Sequence, residues 1–427
     1  MKGILFNGGR IIDPVHGVDA VMDILVEGER IASIERSITP PEGAEVIDCT
    51  GLVICPGLVD MHTHLREPGR EDKETIRTGI AAAAAGGFTA IACMPNTTPV
   101  NDNASVTEYI LGKARECNSV RVLPVGSISK GLKGEDLSDI GELKDAGVVA
   151  LSDDGRPVRN ADLMRRALEY AGMFDLLVIS HCEDLDMAGD GVMNEGRIST
   201  RLGLPGIPSE AEEVMVAREI CLARRTGRPV HIAHASTAGS VRLIRMAKQE
   251  GIPVTAEVTP HHLFLTEEAV TGFDTNTKVN PPLRTKADQD ALIEGLRDGT
   301  IDVIASDHAP HTLAEKELEY SYAPFGIIGL ETALPLVLTN LFHRGFLDLS
   351  RIVSAMSTNP ARILHLDRSG LISGTIADLT VIDPEREWVV DVHSFRSKAR
   401  NCPFHGRHLT GCPVMTVCSG RIVFREV

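Results

Sequence analysis

No apolar run in this 427-residue sequence approaches the roughly 20 residues needed to cross a bilayer. The opening "MKGILFNGGRIIDP" also lacks the charged-then-apolar pattern of a signal peptide, so a cytoplasmic protein is expected. Positive charge is short too: 43 Lys and Arg against 59 Asp and Glu leave a formal net charge of -16. That balance argues against nucleic acid or an anionic membrane as partner, although a small anion can still find a local basic site. Nine cysteines (Cys49, Cys55, Cys93, Cys117, Cys182, Cys221, Cys402, Cys412, Cys418) include no C-x-x-C pair, and their number is odd. Buried thiols in a reducing compartment fit better than a disulfide framework or a Cys-rich zinc site. Low-complexity tracts are absent except "AAAAAGG", read as a helix ending at glycine. No G-x-x-x-x-G-K-[ST] phosphate loop occurs, and "NGG" and "GGF" read as turns.

What is present has two grammars. Both chain ends show short alternating strands with Gly-rich turns: "GILFNGGRIID", "DILVEGERIASIE" and "AEVIDCTGLVICPG" early, "GTIADLTVIDPEREWVV" and "VMTVCSGRIVFREV" late. Between them run eight apolar strand candidates: "LVDMHTH", "FTAIACMP", "VRVLPVGSI", "GVVALSDDG", "LLVISHCED", "PVHIAHAS", "PVTAEVTPHHL" and "IDVIASDHAP". Segments of helical periodicity such as "KETIRTGIAAAAAGG" and "EAEEVMVAREICLARRTG" separate them. Eight alternating units predict an α/β fold; a doubly wound open sheet has the same grammar, and the placing of the polar residues favours a (β/α)8 TIM-type barrel over residues 56–370. Residues 1–55 and 371–427 are expected to pair into a small β-sandwich beside it.

Chemistry concentrates at the ends of those strands. Seven of the eight finish in polar side chains: His62 and His64, Asn96, Asp153 and Asp154, His181, His234, His261 and His262, and Asp307. In an extended strand His62 and His64 project to one side, as two ligands of one ion would. Catalytic groups of such barrels gather at the carboxyl ends of the strands, whereas a structural reading needs a separate buried partner for each group. Histidines and aspartates suit Zn²⁺ or a similar divalent ion, and there are more of them at these strand ends than one catalytic zinc requires.

The order H-x-H, acid, His, His, Asp resembles the amidohydrolase superfamily. The motifs "DMHTHLREPG", "MPNTTP", "LSDDG", "HCED", "HIAHAS", "EVTPHHL", "KVNPPLR", "IASDHAPH" and "PFGIIGLETALP" are similar to the dihydroorotases of the bacterial monofunctional type, over nearly the full chain. The resemblance implies two zinc ions. His62, His64 and Asp307 would hold one, His181 and His234 the other, with Asp154 as the bridge and Asp153 outside the set. It implies substrate contacts at His64, Arg66, Asn96, Asn280 and His311 and at the backbone of Phe325 and Gly326. The Arg66 fork and the neutral donors of Asn96 and His311 suit a carboxylate. Asp307 would be the catalytic acid/base in the reversible cyclisation of N-carbamoyl-L-aspartate to L-dihydroorotate in pyrimidine biosynthesis, with a metal-activated hydroxide as nucleophile. A homodimer and an association with aspartate transcarbamoylase, which some relatives form, are further expectations.

His261 and His262 are read as supporting residues, Cys182 as packing, and the segment from His311 to Gly326 as a lid. Two alternatives stay open. A hydantoinase, dihydropyrimidinase or allantoinase would bridge its metals with a carboxylated lysine, which "VVALSDDGRP" lacks. A non-catalytic relative acting as a scaffold would have lost ligands.

Overall fold

The computed structural model describes residues 3–366 and 370–426; the extreme ends of the expected β-sandwich halves and residues 367–369 of the expected barrel range lie outside them. Strands β1 (Ile4–Asp13), β2 (Val18–Glu27), β3 (Arg30–Glu35), β4 (Glu45–Asp48) and β5 (Val53–Pro56) come first. The barrel strands follow as β6 (Leu58–Thr63), β7 (Phe88–Cys93), β8 (Arg121–Gly126), β9 (Ala150–Ser152) and β10 (Leu177–Ser180). A two-residue pair, β11 (Met193–Asn194) and β12 (Gly206–Ile207), precedes β13 (Val230–Ile232), β14 (Val254–Val258) and β15 (Val303–Ile304). Strands β16 (Leu379–Val389), β17 (His408–Cys418) and β18 (Arg421–Arg425) close the chain.

Strands β6 to β10 and β13 to β15 pair in chain order, all parallel. The ring is drawn together where Thr63 bridges to His308 and His64 N donates to His308 O at 2.8 Å. The fold is therefore the (β/α)8 barrel that eight alternating units predict, with its β-sandwich beside it. All eight strand candidates are barrel strands.

Alternation explains the interior. Val59 and Met61, Ala90 and Ala92, Leu123 and Val125, Leu177 and Ile179, and Val303 and Ala305 point inward from their strands and form one buried cluster. Alanines at several of these positions leave room for bulkier neighbours, so the centre is packed rather than open. The helices outside are locally specified. Ile76–Ala85 starts at Thr75, whose side chain accepts from Thr78 N at 3.1 Å, and stops at Gly86, as "AAAAAGG" predicts.

The chain ends share one sheet in the order β18-β17-β16-β5-β1-β2-β3, with β4 paired to β1. Antiparallel pairing of Leu379–Ile382 with Val53–Pro56 joins the two halves. Phe6, Ile11 and Ile24 pack in the same core as Leu379, Val381 and Val417. Gly57 links β5 to β6; a Cβ there would lie 2.2 Å from Thr89 Oγ1 on β7, so the chain passes this close to β7 only with glycine at that position. Among the described residues no helix is long and apolar enough to cross a membrane. All nine cysteines are free, and burial pushes the Cys182 thiol well above its ordinary range, which suits packing and not nucleophilic attack.

Candidate active site

At the carboxyl ends of the barrel strands, side chains far apart in sequence meet around one carboxylate. Asp154, just past β9, is faced by four imidazoles. Its Oδ1 lies 3.3 Å from His62 Nε2, 3.5 Å from His181 Nδ1 and 3.6 Å from His234 Nε2, and its Oδ2 lies 3.5 Å from His64 Nε2. Asp307 approaches from β15, with Oδ1 3.0 Å from His64 Nε2 and 3.5 Å from His62 Nε2. Each of the six is at most 5% exposed.

The far nitrogens of His62, His64 and His181 are committed elsewhere, whereas His234 Nδ1 has no hydrogen-bond partner among the described residues. His62 Nδ1 meets Glu257 Oε1 at 2.7 Å, His64 Nδ1 meets Asn96 Oδ1 at 2.9 Å, and His181 Nε2 meets Glu183 Oε2 at 3.3 Å. Such partners fix ring orientation and tautomer, aiming the remaining nitrogen at the centre. Among the described residues His62 Nε2 and Asp154 Oδ1 are buried there without a hydrogen bond, and His181 Nδ1 and His234 Nε2 face each other at 2.9 Å. Burying inward-facing polar atoms without partners costs free energy unless a cation satisfies them. His62, His64 and Asp307 could together hold one ion, and His62, Asp154 and His234 are also close enough to share one. The donor set fits a borderline divalent metal. Backbone strain accompanies the geometry: His234 and Asp307 adopt φ of 31° and 46°, and Arg66 61°.

The two acids of "SDDG" part company. Asp153 turns away, accepting Ile128 N at 2.8 Å, Ser129 N at 3.0 Å and the Ser129 hydroxyl, so it anchors the turn after β8. His262 is likewise held between Thr259 Oγ1 and Pro281 O at 2.7 and 2.9 Å. Its neighbour His261 is buried beside the cluster, with Nε2 lacking a hydrogen-bond partner among the described residues.

The residues expected to touch substrate stand around this centre, several with ties to the protein. Arg66 gives Nε to Pro310 O at 3.2 Å, its one side-chain hydrogen bond among the described residues, which leaves the guanidinium fork available. Asn96 orients His64, and Asn280 Nδ2 donates to Glu183 Oε2 at 3.0 Å. His311 donates Nε2–H to Phe325 O at 2.8 Å, while Nδ1 faces Lys73 Nζ at 3.1 Å. Burial, with the Arg66, Lys73 and Lys316 cations, pushes this imidazole down to about 2, so the ring is neutral. Gly326 N donates to Lys278 O at 2.9 Å. Its φ of 145° and the 2.7 Å that would separate a Cβ from Ala309 O require glycine there.

Two buried lysines fasten the segment from His311 to Gly326. Lys278 Nζ donates to Tyr320 O at 2.8 Å and Ser321 O at 3.0 Å, and lies 4.7 Å from the Phe325 ring centroid. Lys316 Nζ donates to Pro324 O at 2.8 Å and Thr275 O at 3.0 Å.

Sequence reasoning missed Glu257, Glu183 and Asn401. Glu257 is fully buried and gathers His62 Nδ1, His231 Nε2 at 3.2 Å and His234 N at 3.2 Å. An acid inside the apolar run "VTAEV" was its signal. Asn401 enters from the β16–β17 connection and supports Ala309 O and Gly326 O, each at 3.0 Å, and His311 N at 3.1 Å; nothing in "KARNCPF" announced it. Glu257→Gln should lower metal affinity by roughly 10- to 100-fold, because the charge behind His62 is lost while the shape is kept. Zinc competition with a chromophoric chelator measures this, and an unchanged affinity would remove Glu257 from the site.

Comparison with known proteins agrees with the geometry. The family described as "Dihydro-orotase-like" matches residues 51–240. A dihydroorotase of Syntrophus aciditrophicus (strain SB) is 57% identical over 424 residues, 99% of each chain. The chain belongs to the dihydroorotase family. A second dihydroorotase, from Geobacter metallireducens, is 54% identical over 423 residues, 99% of this chain and 100% of that one. Solved structures share the fold across the same length. The L-hydantoinase (dihydropyrimidinase) of Arthrobacter aurescens has a TM-score of 0.89 at 26% identity, covering 100% of this chain and 97% of its own. A D-hydantoinase (dihydropyrimidinase) from Thermus sp. has a TM-score of 0.84 at 26% identity, covering 99% and 95%. This member of the dihydroorotase family is thus a cyclic amidohydrolase acting on a small molecule.

Proposed function

We propose that the barrel, residues 56–370, holds two zinc ions and interconverts L-dihydroorotate and N-carbamoyl-L-aspartate, with residues 1–55 and 371–427 as its β-sandwich. The observation that carries the two-metal reading is Asp154: one carboxylate offers Oδ2 to His64 and Oδ1 to His62, His181 and His234. His62, His64 and Asp307 serve one ion, His181 and His234 the other, and Asp154 both. Bound there, the ions would polarise the ring carbonyl and lower the pKa of a water from about 15.7 to about 7.

The chain's own groups do the rest. Arg66 receives the substrate carboxylate in its fork, with His64, Asn96, Asn280, His311 and the Phe325–Gly326 backbone shaping the pocket. Asp307 takes up a proton as the ring carbonyl becomes tetrahedral and returns it to the ring nitrogen as the C–N bond breaks. In reverse the same carboxylate deprotonates the ureido nitrogen for ring closure. By the family reading the working unit is a cytoplasmic homodimer able to associate with aspartate transcarbamoylase.

Hydantoinase chemistry is the neighbouring reading because the fold is shared, and the carboxylate contact separates the two. Purified protein should hydrolyse L-dihydroorotate, and dihydrouracil, which lacks the carboxylate, far more slowly. Arg66→Met should raise KM for dihydroorotate by about 10- to 100-fold, the size of a charge-assisted hydrogen bond of roughly 1.5–3 kcal/mol, with metal content intact. Equal rates on both substrates, or unchanged kinetics in the variant, would refute this assignment.

A further inference from the structure

Away from the barrel mouth, Asp391, His393 and His405 are exposed, and each places a ligand atom within 4.8 Å of the others. They lie on the connection between β16 and β17, where backbone bonds fix their spacing. Asp391 caps the 3-10 turn Val392–Ser394, its Oδ1 accepting from His393 N at 3.0 Å. The opposite arm is tied on by Val390 N to Arg407 O at 2.9 Å and Gly406 N to Val390 O at 2.8 Å. The His393 and His405 rings meet edge to face with centroids 5.7 Å apart.

We propose that Asp391, His393 and His405 form a second kind of metal site, a surface site for a divalent ion of the zinc, nickel or copper class. Two imidazoles and a carboxylate are a donor set for such ions, with water completing the coordination. Bonds of about 2.0–2.1 Å set tetrahedral donors about 3.3 Å apart, and exposed side chains can close to that spacing by rotation. A neutral imidazole has one ring lone pair. At His405 it now receives Val392 N–H on Nδ1 at 3.3 Å, and ion binding exchanges that long bond for a coordinate one. The ion would clip the neck of a loop whose middle carries Asn401 to Ala309, Gly326 and His311.

The test uses the protein with its barrel centre saturated with zinc and excess metal removed, titrated with further Zn²⁺. Wild type should bind one more zinc per chain than the His393→Ala, His405→Ala double variant, and Asp391→Asn, which keeps the cap, should bind it more weakly. Hydrogen exchange at the Val392 amide should quicken on zinc addition in wild type only. Dihydroorotate hydrolysis at basal zinc, retained in all variants, shows that they are folded. Equal zinc stoichiometry in wild type and the double variant, or extra zinc that leaves Val392 exchange unmoved, would overturn the proposal. If the double variant does not fold, Asp391→Asn and His405→Gln singly decide: undiminished binding in both overturns it, and weakened binding supports it.

Discussion

Replacing Asp307 with Asn should lower kcat for dihydroorotate hydrolysis by about 10²- to 10⁴-fold while KM changes far less. The substitution keeps the side chain's shape at a residue whose backbone φ of 46° and 5% exposure leave little freedom. It removes the capacity to hold a proton between the reacting carbonyl and the leaving nitrogen. Because Asn is also a poorer ligand beside His62 and His64, metal content and rate must be measured on the same preparation, with kcat expressed per bound ion. Near-normal turnover per ion would assign the acid/base role to another group.

The second large effect distinguishes two adjacent acids. Asp154→Ala should abolish most activity and release much of the ion otherwise held by His181 and His234, while His62, His64 and Asp307 retain the other. Asp153→Ala should leave metal content at the wild-type level. Its cost is structural: the Ile128 and Ser129 amides lose their buried acceptor, a destabilisation of about 1–3 kcal/mol for a group left unsatisfied. Metal analysis and thermal melting of both variants read the contrast. Metal lost from the Asp153 variant and kept in the Asp154 variant would reverse the assignment.

The strand ends were legible because they combine two strong signals, an apolar run that specifies a strand and a histidine or aspartate that would be costly to bury without a use. The eight runs carrying them are the barrel strands. The β-sandwich was legible from alternation at both ends, although only the structure shows Leu379–Ile382 pairing with Val53–Pro56 across the whole chain. What stayed hidden depends on tertiary partners. Glu257 stands 195 residues from His62, so its role appears only when β14 is set near β6. Strands β11 and β12 are two residues each, too short for any periodicity. They are fixed by Arg284, whose Nη1 reaches Asn194 Oδ1 at 2.9 Å and Ile207 O at 2.8 Å. Lys278, in "KVNPPLR", and Lys316, in the segment read as a lid, carried no signal of their own in the sequence. Burial in place of a carboxylate partner reveals the first as a strap, and that burial pushes its ammonium down to about 8.

Stepwise zinc addition to metal-stripped protein in degassed, bicarbonate-free buffer, with dihydroorotate hydrolysis followed against bound metal, tests the aspartate-bridged two-ion centre most directly. Wild type carries the proposed surface site as well, so the His393→Ala, His405→Ala background is used. Activity should climb to a plateau at two zinc ions per chain and should not change when bicarbonate is added, because Asp154 supplies the bridging oxygens itself. A plateau at one ion, or recovery that depends on bicarbonate, would contradict the account.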